Sequence, residues 1–326
     1  MRKTIIGVLL GLALVTSAPV HAGQAIGYGQ GTQVNVDNVP LGALDFNAQY
    51  GQYGAYATTP DTRRILLTFD QGYENGYTAD ILDTLAEKHV TAIFFLTGDY
   101  AKSEPELVRR MIAEGHTLGN HGMTHASLPH LGQAEQMKEI SSLHDYVVEK
   151  YSYKMQYFRC PCGEYSEDAL KTAQALGYRT VFWSGAHVDW LVNDQPDPQA
   201  ALEKLTVQAH GGEILLLHSV SSTNAQILGD LIDAFRDKGY FSESETAASH
   251  HTDGMLLCIG LFRGAEFYDA GEQREGDLAL ILRRLDCRVC ASAVLRIGEQ
   301  ILVDRNADRS STELKIFSRL SISERF

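Results

Sequence analysis

Five side chains that can carry charge or move a proton stand at or just past the ends of short apolar runs. Asp70 closes "RILLTFD", His121 follows "HTLGN", Arg159 lies in "YFRCP", Asp189 comes just after "TVFWS", and His218 closes "EILLLH". A carboxylate at the end of a run built for burial is costly unless something pairs with it, so Asp70 is expected to face a site and not solvent. His121 and His125 in "NHGMTH" are four apart. One helical turn at that spacing would set both imidazoles on one side, and two neutral imidazoles suit a borderline divalent ion such as zinc. The same spacing also fits a solvated helix face. Arg159 and Asp189 have the charges of a buried pair, either functional or a structural salt bridge. A histidine at position 218 can be cationic near neutral pH and so deliver a proton, or can be a hydrogen-bonded core residue. Trp183 and Trp190 are the only tryptophans and bracket the Asp189 segment. Core packing is expected for Trp183, and a place along a groove for Trp190 and for Tyr73, which follows "DQG".

The elements that must position these groups are legible in the patterning. From Arg64 to Gly239, short apolar runs alternate with amphipathic stretches such as "EPELVRRMIAEG" and "SEDALKTAQALG". The segment 133–151 places Met137, Ile140, Leu143, Val147 and Tyr151 on one helical face. Strand–helix alternation implies an α/β fold with a parallel sheet, open or closed into a barrel. In such folds the carboxyl ends of all strands emerge on one face, where sites are built. Five ionisable residues from five strand ends are therefore expected to converge.

Bulk properties restrict the partners. A formal charge of −13 argues against nucleic acid or an anionic membrane surface. Residues 1–22 have a basic start, an apolar run from Ile5 to Val15 and the small-residue pattern Val20-His21-Ala22, which reads as a secretory signal cleaved after Ala22, with an uncleaved anchor as the alternative. The run is too short to span a bilayer comfortably, so no transmembrane segment is expected after cleavage, and the working part is expected outside the cytoplasm. Cys160 and Cys162 are too close to bridge readily, and a single CxxC at 287–290 lacks the second pair of a structural zinc site. No disulfide framework is expected. Residues 23–62, rich in Gly, Gln, Asn and Tyr, read as an irregular lead-in. Residues 241–326 hold ten Arg and one Lys against eight Arg and nine Lys before them, a shift that marks a divergent tail, either a small α/β module or a poorly packed segment.

At this point the motifs carry a resemblance. "TFDQG", "HGMTH", "RCPCG", "WSGAHVDW" and "ILLLH", in that order, resemble the five motifs of the polysaccharide deacetylase family, carbohydrate esterase family 4 with its NodB-like domain. "TFDQGYENGYTADIL", "FWSGAHVDW" and "ILLLHSVSSTNAQIL" are most similar to its delta-lactam-biosynthetic, or muramic acid, de-N-acetylase branch. The resemblance implies a distorted (β/α) barrel over residues 63–240 with a groove across its top. It implies that Asp70 is the base that deprotonates a water attacking an acetamide carbonyl, and that His218 is the acid that protonates the leaving sugar amine. It further implies that Arg159 keeps Asp70 ionised, that Asp189 orients Arg159, and that His121 and His125 bind a divalent metal ion, zinc or similar. Peptidoglycan glycan strands are the implied partner.

Three departures qualify that picture. Where most of the family has a second, metal-binding aspartate, this chain has Gln71, a weaker donor, so loose or dispensable metal binding is expected. Where the branch has Arg-Pro-Pro-Arg-Gly, this chain reads "RCPCG", and Cys162 removes a possible contact to an anionic sugar substituent. After "FRDKGY" the family continues with a strand that completes the barrel, whereas "FSESETAASHH" does not resemble it, so a gap beside the first barrel strand is expected. The functional expectation is an exported de-N-acetylase of peptidoglycan amino sugars, first of N-acetylmuramic acid, with acetate released and the freed amine able to close a delta-lactam. The rivals are an N-acetylglucosamine or chitin-type deacetylase and a glycan-binding relic without turnover.

Overall fold

The computed structural model describes residues 24–240, so the expected signal segment and the tail 241–326 lie outside the described residues. The apolar runs become strands because their β-branched and aromatic residues are covered on both faces, as parallel strands require. In chain order the strands are β1 (Ile26–Gly27), β2 (Ala55–Tyr56), β3 (Leu66–Gln71), β4 (Ile93–Leu96), β5 (Thr117–Asn120), β6 (Tyr157–Phe158), β7 (Glu164–Tyr165), β8 (Arg179–Val181), β9 (Gly185–Ala186) and β10 (Ile214–His218). The helices are α1 (Leu41–Tyr50), α2 (Thr78–Glu87), α3 (Gly98–Ser103), α4 (Pro105–Ala113), α5 (Gln133–Tyr151), α6 (Glu167–Ala175), α7 (Pro198–Gln208) and α8 (Ser222–Asp237).

Eight strands form one sheet in the order β2-β8-β6-β5-β4-β3-β10-β9, every pairing in it parallel. β8 is second from one end of that order and β9 is at the other end, yet only residues 182–184 join them. Four Cα steps reach at most about 14 Å, so the sheet must curl until its ends nearly meet. An isolated bridge between Thr58 and Glu213, with Thr59 N donating to Gly212 O at 2.8 Å, ties the end after β2 to the start of β10. This is the expected distorted barrel. Inside it, Ile93, Phe95, Val181 and Ile214 form a small apolar plug. On the outer face Leu67, Phe69, Phe94, Leu96, Leu215 and Leu217 pack against the helices. Each fully buried Leu or Phe of this kind contributes about 1.5–3 kcal/mol.

The structure corrects three expectations. No gap lies beside the first barrel strand: β3 is paired with β4 on one side and β10 on the other, and the edges fall instead on the two-residue strands β2 and β9. The lead-in is not irregular throughout. It contains α1, which buries Ala43, Phe46 and Tyr50, and the aromatic rings of Phe46 and Tyr50 meet Tyr165 edge-on. Spacing of three and four marks that face, but flanking Gly, Gln and Asn hide it in the sequence. On α5, Ile140, Leu143 and Val147 are buried as expected, whereas Met137 is 43% exposed. Gln136 and Glu139 take the buried positions beside them because both have partners to satisfy: Gln136 Nε2 donates to Leu128 O, and Glu139 accepts from the loop after β5.

Candidate active site

Pairing of β3 with β10 sets His218 directly opposite Asp70 and Leu216 opposite Thr68. Neighbouring parallel strands lie about 4.8 Å apart, and paired residues point to the same face. The sheet register alone therefore brings together two titratable groups 148 positions apart in the chain.

Asp70 is almost wholly buried. Its Oδ1 accepts a 2.8 Å hydrogen bond from Arg159 Nη1, and its Oδ2 lies 3.5 Å from His121 Nε2. Burial by itself would raise the carboxyl pKa, but the Arg159 charge and hydrogen bond, with lesser help from the neighbouring His121 and His218, hold it below the usual carboxylate range. Arg159 is fully buried, delivered by the end of β6 into the barrel mouth. Its Nε donates to Val181 O at 2.9 Å and its Nη2 to Phe182 O at 3.3 Å, while the guanidinium lies 4.2 Å from the centre of the Phe95 ring. Burial lowers its pKa against the pull of Asp70, yet a guanidinium stays charged at any working pH. The opening run thus ends on a carboxylate because a buried cation waits for it.

His121 and His125 do meet, with Nε2 atoms 3.2 Å apart, but not on a helical turn. β5 ends at Asn120, and the chain then passes through left-handed backbone at Gly122 (φ 85°) and His125 (φ 60°). A Cβ at Gly122 would come 2.9 Å from Glu139 Oε1. That carboxylate organises the loop by accepting from Thr124 N at 2.6 Å and from Thr124 Oγ1 at 3.0 Å, and Asn120 Oδ1 accepts from Gly122 N at 2.9 Å. The Nδ1 of His121 is 2.9 Å from Arg159 O. A carbonyl oxygen can only accept, so Nδ1 carries the proton and the Nε2 lone pair points at Asp70 and His125. Burial pushes His121 down to about 4, with Asp70 raising it only in part, so it is neutral near pH 7.

Asp189 does not touch Arg159 as the sequence suggested. It pairs with His218: Oδ1 accepts from His218 Nδ1 at 2.7 Å, and Oδ2 accepts from the His218 backbone N–H at 2.7 Å. The reason is topological. β9 pairs with β10, so the chain leaving β9 runs past the end of β10, while Arg159 enters from β6 on the far side of the barrel mouth. Burial would lower the His218 pKa, but the Asp189 hydrogen bond and charge, with Asp70, outweigh it and raise it above the ordinary histidine value. Trp190 is 48% exposed with its ring 5.7 Å from that of His218, and Tyr73 is also exposed. Trp183 is half-buried against the core.

Gln71 is fully buried. Its Nε2 donates to Ser219 Oγ at 2.5 Å, and its Oε1 has no hydrogen-bond partner. Among the described residues no three His, Cys, Asp or Glu side chains are arranged to hold a metal ion. The donor set nevertheless fits a cation loosely: the His121 and His125 Nε2 atoms face each other, that of His121 also faces an Asp70 oxygen, and the amide oxygen of Gln71, the next residue in the chain, is buried and unpartnered. Cys160 is buried and Cys162 exposed, both as free thiols; the other three cysteines lie outside the described residues.

Sequence reasoning missed Asn224 and His187. Asn224 is buried in the first turn of α8, where its backbone N–H is capped by Ser221 Oγ at 3.0 Å. Its Nδ2 donates to Asp189 Oδ2 at 2.5 Å and to His218 O at 3.1 Å, and its Oδ1 accepts from His187 Nε2 at 2.8 Å. An amide one turn past a site-bearing strand end was the available signal.

The protein-family model described as polysaccharide deacetylase matches residues 57–181. The peptidoglycan-N-acetylmuramic acid deacetylase PdaA of Bacillus subtilis is 41% identical over 208 residues, 63% of this chain and 79% of that protein. A solved structure of Bacillus subtilis PdaA, a family 4 carbohydrate esterase, superposes with a TM-score of 0.63 at 38% identity, over 67% of this chain and 94% of that one. A chitooligosaccharide deacetylase of Sinorhizobium fredii is 32% identical over 194 residues, 55% of this chain and 89% of that protein.

Proposed function

The chain belongs to the polysaccharide deacetylase family, hydrolases of non-peptide carbon–nitrogen bonds, and from that premise we propose that it is an exported enzyme removing the acetyl group from N-acetylmuramic acid residues of peptidoglycan. The observation that carries the reading is the pairing of Asp70 with Arg159 directly across the β3–β10 register from the Asp189–His218 pair. An anion held ionised and a histidine whose cationic form is favoured then flank one spot, which is what hydrolysis of an unactivated amide needs. The similarity to PdaA supports muramic acid as the sugar, and the signal-like residues 1–22 support export.

Asp70, fixed by Arg159, takes a proton from the attacking water. His218 has its Nδ1–H committed to Asp189, so its Nε2–H is the proton delivered to the departing sugar amine, with acetate as the other product. The freed amine is then available to close a lactam on the lactyl carboxyl of the same sugar. A divalent ion held by His121, His125 and the Gln71 amide oxygen would polarise the acetamide carbonyl and make water more acidic. Trp190 and Tyr73 offer faces for a sugar ring at the rim.

Acetate release from muropeptides stripped of stem peptides is expected to exceed that from chitin oligomers. Turnover of chitin alone would transfer the assignment to N-acetylglucosamine. Replacing the amide by a carboxylate in Gln71→Asp is expected to tighten zinc binding by at least about tenfold, since an anionic oxygen binds a hard or borderline cation more strongly. Unchanged affinity on calorimetric titration would place Gln71 away from the ion.

A further inference from the structure

The 181–183 backbone grips Arg159 through two carbonyls, yet β8 ends at Val181, and the chain beyond it leaves the ladder for the opposite sheet edge. Two backbone bonds still hold it, Phe182 N donating to Tyr56 O at 2.8 Å and Ser184 N to Ile214 O at 2.9 Å, and the rest of its anchorage comes from residues 26–30, outside the matched family region. Tyr28 Oη donates to Trp183 O at 2.5 Å, and the Trp183 indole N–H donates to Gln30 Oε1 at 3.0 Å. The Tyr28 ring lies 4.6 Å from that of Phe182 and 5.0 Å from that of Trp183, centre to centre. The same segment holds the loop that follows Arg159. β1 pairs with β7, and Tyr28 N donates to Gly163 O at 2.8 Å. There Cys162 (φ 59°) and Gly163 (φ 65°) are both left-handed, and a Cβ on Gly163 would come 2.8 Å from the Trp183 ring. Residues 26–30 therefore staple together the two stretches of chain on either side of the guanidinium.

We propose that Tyr28 is a positioning residue for Arg159, anchoring the 181–183 backbone whose carbonyls aim the guanidinium at Asp70. The lead-in is then a working part of the site. Two of the three hydrogen bonds of the Arg159 side chain are to that backbone, and the third is to Asp70. A planar fork held at only one edge can pivot about the Asp70 contact; held at Nε and Nη2 as well, it cannot. The catalytic consequence rests on the proposed role of Asp70 as base, but the positional claim does not.

The test is Tyr28→Phe in the full chain, which keeps the ring and removes only the hydroxyl. Its kcat is expected to fall about 3–10-fold with KM unchanged, the equivalent of one hydrogen bond. In an Arg159→Lys background, which lacks the fork, the same change is expected to cost nothing further. Independently of turnover, the guanidinium N–H signals of Arg159 in arginine-labelled protein, assigned by their loss in Arg159→Lys, are expected to exchange with solvent about tenfold faster in Tyr28→Phe. Gln30→Leu, which removes the indole acceptor, serves if Tyr28→Phe does not fold, with the same expectation. Unchanged Arg159 exchange, or a kcat loss fully retained in Arg159→Lys, would overturn the proposal. Faster exchange in an enzyme that releases no acetate would sustain the positional claim and count instead against the deacetylase reading.

Discussion

Asp70→Asn is expected to lower kcat/KM for acetate release by about 10²–10⁴-fold, the span that a positioned general base commands. The amide is nearly isosteric, so the groove keeps its shape, but an amide cannot take a proton from water at neutral pH. The same change has a structural cost. Arg159 is fully buried and Asp70 is its anionic partner, and leaving a buried charge uncompensated costs about 3–5 kcal/mol. The Asn oxygen can still accept from Nη1, so the lower end of that range is expected. Circular dichroism and glycan binding, measured beside acetate release, separate the two effects: a folded, binding, inactive variant is the predicted outcome. Equal background release from wild type and variant, with glycan binding intact in both, would favour the binding-only relic.

The second large effect belongs to Asp189→Asn, and it is one of pH. In the native protein burial opposes the cationic form of His218, and the Asp189 carboxylate overrides that opposition. Without the anion, burial prevails, so the histidine pKa falls, by about 1–3 units for loss of an adjacent opposite charge. The alkaline limb of the kcat/KM profile, where the acid must still be protonated, is expected to move down by that amount. The tautomer changes as well. Both Asp189 oxygens accept hydrogen bonds from His218, and an amide N–H turned toward Nδ1 would strip it of its proton. A neutral imidazole is a far weaker acid, so activity at pH 7 is expected to fall about 10²-fold or more. Stability responds with a fixed sign. A histidine whose folded pKa is raised stabilises the fold below its unfolded pKa near 6.5, and that contribution is lost as pH rises through the folded value. Urea midpoints for wild type should therefore decline from pH 6 upward relative to Asp189→Asn. Superimposable profiles for the two proteins would remove Asp189 from the acid's support.

The two predictions concern the two halves of one arrangement. Asp70 and His218 act at the same spot with opposite protonation requirements, and the protein sets them apart by neighbours: a buried guanidinium on one side, a buried carboxylate on the other. Neither neighbour is interchangeable, because each is held by backbone and amide groups that came from other parts of the chain. Arg159 leans on the carbonyls of Val181 and Phe182; Asp189 leans on Asn224.

Much of this was determined by the sequence alone. Alternating apolar runs and amphipathic stretches dictate a parallel α/β sheet, and a polar group closing each buried run dictates a site on one face, because an unpaired charge there would be too costly. Asp70, His121, Arg159, Asp189 and His218 were therefore identifiable one by one. Their pairing was not. Which carboxylate meets which cation follows from strand order, and β9 beside β10 sends Asp189 to His218, where charge matching alone had sent it to Arg159. The histidine pair was read correctly as a pair but for the wrong local reason, since two left-handed residues and the buried Glu139, not a helical turn, bring the rings together. Asn224 was marked only by its place one turn past a strand end, and Tyr28 and His187 by nothing, for the same cause: a hydrogen bond across 155 positions, such as Tyr28 to Trp183, leaves no periodicity to read. Residue type and spacing fix what a chain can do locally, whereas long-range register decides which of those capacities are placed face to face.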